Sequence, residues 1–326
     1  MRAAYYEANG PAAQVLRLDE VTTPEPGPGE VRVRLATSGV NPSDVKSREG
    51  RTRKIAFPRV IPHSDGAGVI DKVGSGVPPS RAGERVWVWN AQWKRAFGTA
   101  AEYVVLPAAL APRLPDHVGF AEGACLGIPA MTAAHAVASA QLNAASTVLI
   151  PGGAGGVGHY AIQFAKARGA VVITTVSSDD KAKLAGQAGA DHVIDYKREN
   201  VAAAVMDLTD QGGVDAVIEM DLAANASLYP GILHARSQVV VYGTGKAESQ
   251  IPSQFLLVNA ATLKWIFVYE LTKEERAAAI AAITGLIEAR RLIHNVALTV
   301  PLDRIVQAHE TVEQGKAAGN VVLTIP

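Results

Sequence analysis

The chain has 326 residues, 48% of them hydrophobic and 19% charged, and this composition excludes a disordered protein. The 31 Lys and Arg residues balance the 31 Asp and Glu residues, so no global basic field exists to recruit nucleic acid or anionic lipid. A single cysteine, Cys125, excludes an internal disulfide, and its apolar neighbours favour a small core residue over a nucleophile. No secretory leader is recognisable and no apolar run reaches the roughly 20 residues of a membrane span, so we expect a cytoplasmic protein.

Residues 1–120 predict a mostly β domain, because hydrophobic and polar residues alternate there between turns rich in proline and glycine. From Ala121 onward, apolar runs alternate with amphipathic segments, a pattern typical of a doubly wound parallel α/β sheet. Strands are predicted in the first region at 2–6, 15–20, 31–36 and 102–106, and in the second at 148–150, 171–176, 192–195, 214–219 and 238–242.

An alanine-rich run from Lys273 to Arg290 predicts a long helix, with Thr272 as its N-cap and Glu275 at the capping-box position. Strand-like patterning then returns at 293–301 and 320–325, which indicates that the end of the chain rejoins the β-rich domain. We therefore assign residues 1–120 and 265–326 to a discontinuous β-rich domain and residues 121–264 to the α/β domain.

A glycine-rich turn joins the first two strands of the α/β domain. Gly153, Gly155 and Gly158 have GxGxxG spacing after an apolar run, and the amphipathic segment Val157–Arg168 follows. Such a unit is typical of a dinucleotide site, where glycines permit the tight turn, the approach of the pyrophosphate and close packing of the helix. The phosphates then meet unpaired N–H groups at the start of the helix.

The end of the following strand favours NADP over NAD. An NAD site usually has an acidic residue there to bind the ribose 2′-OH, whereas this strand ends in Ser177 and Ser178. Lys181 is placed to supply positive charge to a 2′-phosphate, and Tyr196 is placed to close the adenosine pocket from the next strand end. The acidic pair Asp179-Asp180 counts against NADP, although acids are common in the first turn of a helix.

Further motifs are distributed along the whole chain. They are Gly39-Val-Asn-Pro-Ser-Asp44, Pro62-His-Ser-Asp-Gly-Ala-Gly-Val-Ile70, Gly83-Glu-Arg-Val86, Ala101-Glu-Tyr103, Gly127-Ile-Pro-Ala-Met-Thr-Ala133 and Gly189-Ala-Asp-His-Val-Ile-Asp195. With the glycine turn, the sequence resembles the zinc-free, zeta-crystallin-like quinone oxidoreductases of the medium-chain dehydrogenase/reductase superfamily. The resemblance implies a Rossmann domain and a GroES-like catalytic domain, NADPH as cofactor, and hydride transfer from nicotinamide C4 to a quinone or similar conjugated carbonyl.

The resemblance also implies roles for individual residues. Asn41 and Asp44 match the polar pair near the reacting ring, and Lys46 stands where relatives often carry tyrosine. Together with the glycine turn and the serines at the end of the following strand, the resemblance predicts a set of cofactor contacts. They are Gly153, Ala154, Gly155, Gly156, Val157, Ser177, Ser178, Lys181, Tyr196, Asn225, Tyr242, Gly243, Thr244, Gly245, Ile266, Phe267 and Val268.

Zinc alcohol dehydrogenases share this architecture, but their catalytic zinc needs two thiolates and an imidazole, or close substitutes. Asn41 stands where one thiolate would be and Ser64 where the histidine would be, while His63 is one residue out of register. We therefore expect no metal, and a substrate carbonyl polarised by hydrogen bonds, with Asn41 as the donor. Asp44 is either an orienting acceptor in this site or a turn residue after Asn-Pro.

The stretch from Trp87 to Phe97 contains three of the four tryptophans, whereas many relatives have a shorter glycine-rich link there. Two interpretations stay open. The stretch is either a hydrophobic plug at a domain edge or a substrate surface, in which Trp93 or Phe97 stacks on a flat aromatic substrate.

Two other functions also stay open. An NADPH-dependent reductase of enones or alkenals needs the same hydride and, in addition, a proton for the α-carbon. A non-catalytic, zeta-crystallin-like RNA-binding role is disfavoured by the zero net charge and the lack of RNA-binding aromatic motifs. By analogy with related dimers, we expect a homodimer or homotetramer that pairs through the strands near Tyr242 and the segment Ser253–Val268.

Overall fold

The computed structural model describes residues 1–51 and 54–326. Its strands are β1 (Arg2–Tyr5), β2 (Arg17–Glu20), β3 (Glu30–Val40), β4 (Asp65–Val73), β5 (Arg85–Val88), β6 (Tyr103–Pro107), β7 (Thr147–Pro151), β8 (Val171–Val176), β9 (His192–Asp195), β10 (Val214–Glu219), β11 (Leu233–Val241), β12 (Thr262–Trp265), β13 (Val296–Pro301) and β14 (Asn320–Thr324). Its α-helices are α1 (Ala12–Val15), α2 (Pro42–Glu49), α3 (Phe120–Gly123), α4 (Met131–Ser139), α5 (Gly156–Ala167), α6 (Asp179–Gln187), α7 (Val201–Leu208), α8 (Leu222–Asn225), α9 (Ser253–Val258), α10 (Lys273–Glu288) and α11 (Ile305–Glu313).

The described residues form two compact units. The first comprises Met1–Pro129 and His294–Pro326, and the second comprises Ala130–Ile293. These divisions differ from the predicted ones at 120/121 and 264/265. Residues 265–293 belong to the second unit because β12 is hydrogen-bonded to β11 and α10 packs against α4. The strand-like pattern predicted at 293–301 begins close to His294, where the chain returns to the first unit, whereas the predicted boundary at 264/265 lies before α10.

The first unit is built on a mostly antiparallel sheet with the order β13-β14-β3-β4-β5, and β6 also pairs with β3. Alternation along β3 buries Val31, Val33 and Leu35 while the arginines between them face outwards, as expected for a sheet with one buried face. The strand predicted to begin at Val15 was wrong at its start, because residues 12–15 form the short helix α1 and β2 begins at Arg17.

The second unit contains a parallel sheet with the order β12-β11-β10-β7-β8-β9. Each strand predicted there is present, and β11 begins earlier than expected, at Leu233. The residues Val148, Leu149 and Ile150 of β7 are all buried, which explains the continuous apolar run of this central strand. Sequence order reverses between β7 and β10, and ligands of open α/β sheets bind at such a reversal. The predicted doubly wound α/β fold is therefore confirmed.

The predicted start of α10 is also confirmed. Thr272 Oγ1 accepts a hydrogen bond from the Glu275 backbone N–H at 3.2 Å, and the Glu275 carboxylate accepts one from Thr272 N–H at 2.9 Å. This reciprocal capping box satisfies two N–H groups that have no acceptor within the helix. Within the described ranges, no helix is both long enough and apolar enough to cross a membrane.

Candidate active site

The residues predicted to contact the cofactor lie in the second unit, and nearly all of them directly follow the carboxyl end of a strand. They are Gly153–Val157 after β7, Ser177 and Ser178 after β8, Tyr196 after β9, Tyr242–Gly245 after β11 and Ile266–Val268 after β12. Lys181 lies in α6 and Asn225 in α8. Because all the strands are parallel, these ends meet at one edge of the sheet, where nucleotides bind in this class of fold.

The tight turn after β7 is made at Gly152, one residue before the predicted motif. Gly152 has a φ of 71°, a left-handed conformation that favours glycine, and its carbonyl accepts a hydrogen bond from Gly155 N–H at 2.9 Å. A Cβ on Gly158 would collide with the Gly152 carbonyl oxygen, so Gly158 permits close packing of α5 on the turn. The Pro151-Gly152 step was the overlooked signal, since Pro-Gly pairs commonly mark turns.

The start of α5 is open to an anion. Gly155 is the N-cap and has no side chain to accept the first N–H groups of the helix, which have no intrahelical acceptor. These groups, on Gly156 and Val157 among others, carry the positive end of the helix dipole. The geometry therefore fits the pyrophosphate of a dinucleotide at the position that the glycine spacing predicts.

The end of β8 presents a cation and a hydroxyl together. Lys181 Nζ donates a hydrogen bond to Ser177 Oγ at 3.0 Å, so the ammonium group is held at the strand end. Ser178 is the N-cap of α6, and its hydroxyl accepts the Lys181 backbone N–H at 3.4 Å. Ser177 and Lys181 thus form a small cationic site, whereas Ser178 has a structural role at the helix start.

The aspartates that counted against NADP are both paired with cations. Asp179 accepts a hydrogen bond from Arg198 at 2.8 Å, and Asp180 forms an ion pair with Lys183 at 3.1 Å. Their charge is therefore partly balanced outside the Ser177–Lys181 contact. Tyr196 is 53% exposed, which leaves its ring accessible to a ligand at this edge.

Glu219, at the end of β10, was not predicted as a site residue. It is fully buried, and its carboxylate accepts hydrogen bonds from Asn225 Nδ2 at 2.9 Å, Tyr229 OH at 3.0 Å and Asp221 N–H at 2.6 Å. Asn225, predicted to face the cofactor, is therefore oriented by this acid. Burial and the nearby Glu219 raise the pKa of Tyr242. An acid directly after the apolar run at 216–218 was the available signal.

The remaining predicted cofactor segments follow β11 and β12. Gly245 N–H donates to the Asp221 carboxylate at 2.7 Å, which holds the segment after β11 against the segment after β10. A Cβ on Gly243 would collide with the Met220 carbonyl oxygen. After β12, Ile266 and Val268 are buried and Phe267 is 53% exposed.

In the first unit, Asn41 lies between the end of β3 and the start of α2 and is buried. Its backbone N–H donates to the Asp44 carboxylate at 2.8 Å. This is the contact of a capping box, so Asp44 fixes the start of α2 and with it the backbone of Asn41. The contact agrees with the interpretation of Asp44 as a turn residue after Asn-Pro. Asp44 also orients Asn41, because its carboxylate holds the Asn41 backbone N–H.

Asp65, which begins β4, is a second carboxyl group in contact with Asn41. Its Oδ2 accepts a hydrogen bond from Asn41 Nδ2 at 2.6 Å, and the Ile128 backbone N–H donates to both of its oxygens at 2.9 Å. Burial raises the pKa of the Asp65 carboxyl well above its usual value, although the hydrogen bond from Asn41 acts in the opposite direction. Asp65 lies within the motif Pro62-His-Ser-Asp-Gly-Ala-Gly-Val-Ile70, and no role was predicted for it.

The residues near Asn41 do not fit a catalytic zinc. His63 is fully buried, and its ring nitrogens contact Ser38 Oγ at 2.8 Å and His309 Nε2 at 2.9 Å, so both are engaged. Cys125 is buried with its thiol directed to the Ala121 carbonyl oxygen, and burial raises its pKa. In the part of the chain that the structure describes, no three His, Cys, Asp or Glu side chains are grouped to hold a metal ion. The groups near Asn41 are an amide, carboxyl groups and an imidazole that is engaged at both nitrogens, and they differ from the two thiolates and the imidazole of a catalytic zinc site.

The aromatic stretch divides into two parts. Trp87 and Trp89 are buried in the core of the first unit, as the plug interpretation predicts. Trp93 is partly exposed, with Lys94 Nζ 5.6 Å from its ring centroid, and Phe97 is 40% exposed. Among the aromatic side chains of this stretch, Trp93 and Phe97 are the ones with exposed surface.

Comparison with known proteins gives matches over almost the whole chain. The family described as "Alcohol dehydrogenase GroES-like domain" matches residues 27–116, and the one described as "Zinc-binding dehydrogenase" matches residues 156–285. The quinone oxidoreductase of Homo sapiens is 30% identical over 329 residues, which cover 100% of this chain and 98% of that protein.

Two further similarities bear on the chemistry. The quinone oxidoreductase of Escherichia coli, solved in complex with NADPH, is 27% identical and has a TM-score of 0.88, covering 99% of this chain and 100% of that chain. The chloroplastic NADPH-dependent alkenal/one oxidoreductase of Arabidopsis thaliana is 33% identical over 209 residues, which cover 62% of this chain and 54% of that protein.

Proposed function

Because the chain belongs to the quinone oxidoreductases of the medium-chain dehydrogenase/reductase superfamily, we propose that it oxidises NADPH and reduces a quinone or similar conjugated carbonyl without a metal. The observation that carries the cofactor assignment is the Lys181–Ser177 contact at the end of β8. A cation and a hydroxyl donor there suit a 2′-phosphate, whereas a free ribose would need an acceptor.

The chain would hold NADPH through three groups of residues. The N–H groups at the start of α5 would bind the pyrophosphate, with Gly152 and Gly158 keeping the turn close to the helix. Ser177 and Lys181 would bind the 2′-phosphate, and Tyr196 would cover the adenosine. When bound, the cofactor supplies a hydride from nicotinamide C4.

Asn41 would act on the substrate as a hydrogen-bond donor. Negative charge develops on the carbonyl oxygen of the acceptor as it is reduced, and a donor fixed in advance lowers the barrier by about 3 to 4 kcal/mol at best. One N–H of the Asn41 amide is directed to Asp65, and the amide has a second N–H for this purpose. The oxygens of a reduced quinone are weakly basic, so the reaction does not need a dedicated general acid.

The chemistry of the residues around Asn41 supports a metal-free reaction. An amide, a hydroxyl on Ser64 and an imidazole on His63 that is engaged at both nitrogens replace the ligands of a catalytic zinc. We expect purified protein to contain less than stoichiometric zinc and to retain activity with 1,10-phenanthroline. Stoichiometric zinc together with inhibition by the chelator would contradict this part of the proposal.

A reductase of enones or alkenals is the second candidate, and the similarity to the alkenal/one oxidoreductase of Arabidopsis thaliana favours it. Reduction of such a substrate needs a proton for the α-carbon as well as the hydride. The two functions are separated by following NADPH oxidation with a benzoquinone, a naphthoquinone and a small enone. We expect the highest kcat/KM with a quinone, and a preference for the enone would select the second candidate.

The role of Asn41 is tested by Asn41→Ala with the preferred acceptor. Removing one preorganised donor lowers kcat by about 100-fold or more. We expect a loss of that order with little change in the KM for NADPH, because Asn41 is placed on the substrate. An unchanged kcat would remove Asn41 from the mechanism and leave the cofactor assignment intact.

We further propose that the protein forms a homodimer through the edge of the parallel sheet. β12 is the edge strand, and Leu257, Val258 and Trp265 beside it are 79%, 72% and 58% exposed. An exposed strand edge with apolar neighbours favours pairing with a second copy. Trp265→Glu should convert the dimer to a monomer in multi-angle light scattering, and a monomeric unmodified protein would contradict the proposal.

A further inference from the structure

Asp65 is a fully buried acid to which the proposed function gives no role. Antiparallel pairing of β3 with β4 places Asp65 directly opposite Gly39, and Asn41 lies two residues beyond Gly39 on the same strand path. Residues two apart on a strand face the same side, so the side chains of Asn41 and Asp65 form a diagonal pair across Gly39.

The glycine between them keeps this diagonal open. A Cβ on Gly39 would lie 3.2 Å from the Asp65 Cβ and 2.5 Å from the Ala124 carbonyl oxygen. With only a hydrogen at that position, Asp65 can reach Asn41, and the resulting Nδ2 to Oδ2 distance is 2.6 Å.

The Asp65 carboxyl is itself held in place without help from Asn41. The Ile128 backbone N–H donates to both of its oxygens at 2.9 Å. A Cβ on Gly127 would collide with Asp65 Oδ1, so a glycine is also needed for the Ile128 N–H to approach. Asp65 is therefore an anchored acceptor, and Asn41 is the side chain that adapts to it.

We propose that Asp65 is a positioning residue that sets the direction of the Asn41 amide; this inference rests on the proposed role of Asn41. The two ends of an asparagine amide have nearly the same shape but opposite hydrogen-bonding character. N–H groups of Ile128 and Asn41 donate to the two oxygens of the Asp65 carboxyl, so this group faces Asn41 as an acceptor, selects the NH2 end of the amide and excludes the Oδ1 end. Asp44 holds the Asn41 backbone at the same time, which leaves the amide one orientation.

The consequence for the reaction is a donor that needs no reorganisation. With the amide fixed by Asp65, the second N–H of Asn41 keeps one direction while charge develops on the substrate oxygen. Without Asp65, the amide can turn over and present Oδ1, which repels that charge. Loss of Asp65 should therefore lower kcat and have little effect on the binding of NADPH.

The test is a double-mutant cycle on quinone reduction with wild type, Asn41→Ala, Asp65→Asn and the double variant. Asp65→Asn keeps the size of the side chain but replaces one acceptor oxygen with an NH2 group, which can donate to Asn41 Oδ1 and so permits the other orientation of the Asn41 amide. We expect it to lower kcat about tenfold or more and to change the KM for NADPH less than twofold. In the Asn41→Ala background the same substitution should change kcat less than twofold, because its effect acts through Asn41.

Equal losses from Asp65→Asn in both backgrounds would overturn the inference and leave the proposed role of Asn41 intact. If Asn41→Ala alone leaves kcat unchanged, the proposed role of Asn41 fails, and the inference fails with it. The matched control is Asp71→Asn, since Asp71 lies on the same strand and pairs with Arg32 at 2.8 Å. This control should leave kcat unchanged.

Asp65→Ser provides a second variant if Asp65→Asn does not fold. Its hydroxyl can accept the Ile128 N–H but is too short to reach Asn41. Circular dichroism and thermal unfolding establish that each variant is folded before kinetics are compared. A folded Asp65→Ser with the kcat of the wild type would also overturn the inference.

Discussion

The cofactor preference depends on one cation whose partner is a hydroxyl. Lys181 Nζ donates to Ser177 Oγ at 3.0 Å, whereas nearby Arg198 and Lys183 are paired with Asp179 and Asp180. We expect Lys181→Met to remove a charge-assisted hydrogen bond to the 2′-phosphate, a contact with a net contribution of about 1.5 to 3 kcal/mol. Because Lys181 is partly exposed, the lower value applies, which corresponds to about a tenfold weaker Kd for NADPH.

The assay is fluorescence titration of NADPH and NADH at one fixed ionic strength. Lys181→Met should weaken NADPH about tenfold and leave NADH nearly unchanged, since NADH has no 2′-phosphate to lose a partner. Lys183→Met is the matched control, because Lys183 already pairs with Asp180 at 3.1 Å. Equal weakening of both cofactors by Lys181→Met would refute the reasoning, as would an unmodified protein that binds NADH as tightly as NADPH.

Three further results are expected. Gly158→Ala should abolish NADPH binding without loss of folding, because its Cβ would meet the Gly152 carbonyl in the phosphate turn; unchanged titration would contradict this. Trp93→Ala should raise the KM for a quinone several-fold more than that for NADPH, and equal changes would favour the plug interpretation. Burial lowers the pKa of His63 to about 3 and that of His309 well below its usual value. The unfolded state therefore binds more protons than the folded state below about pH 6.5. The free energy of unfolding in urea should decrease as the pH is lowered, by up to about 1.4 kcal/mol per pH unit for each histidine. His63→Asn, which tolerates the φ of 77°, should have a shallower dependence, and an unchanged slope would count against this account.

Local patterns in the sequence were sufficient for much of the fold. The apolar runs of β7, β8, β9 and β10 fell at the predicted positions, and the Thr272–Glu275 capping box formed as expected. Each of these features depends on neighbours a few residues away, so the sequence contains the relevant interactions. The predicted start of β2 was wrong, because the residue pattern at 12–17 is compatible with one short helical turn as well as with a strand.

The candidate site could be predicted only in part. The glycine turn and the contact between Lys181 and Ser177 could be expected from the sequence, because the residues of each lie close together in the chain. Glu219 was missed, since its partners Asn225 and Tyr229 reach it only after the chain folds back at the end of β10.

The sequence by itself determined the alternation of strands and helices, the glycine-rich turn and the lack of zinc-type ligands at Asn41 and Ser64, because these follow from residue type and close spacing. Only the tertiary structure decided which side chains face one another. Asp65 meets Asn41 through the register of β3 and β4 and the space that Gly39 leaves. That contact joins the residue directly after β3 to the first residue of β4, and strand register is a property of the assembled sheet rather than of either segment alone.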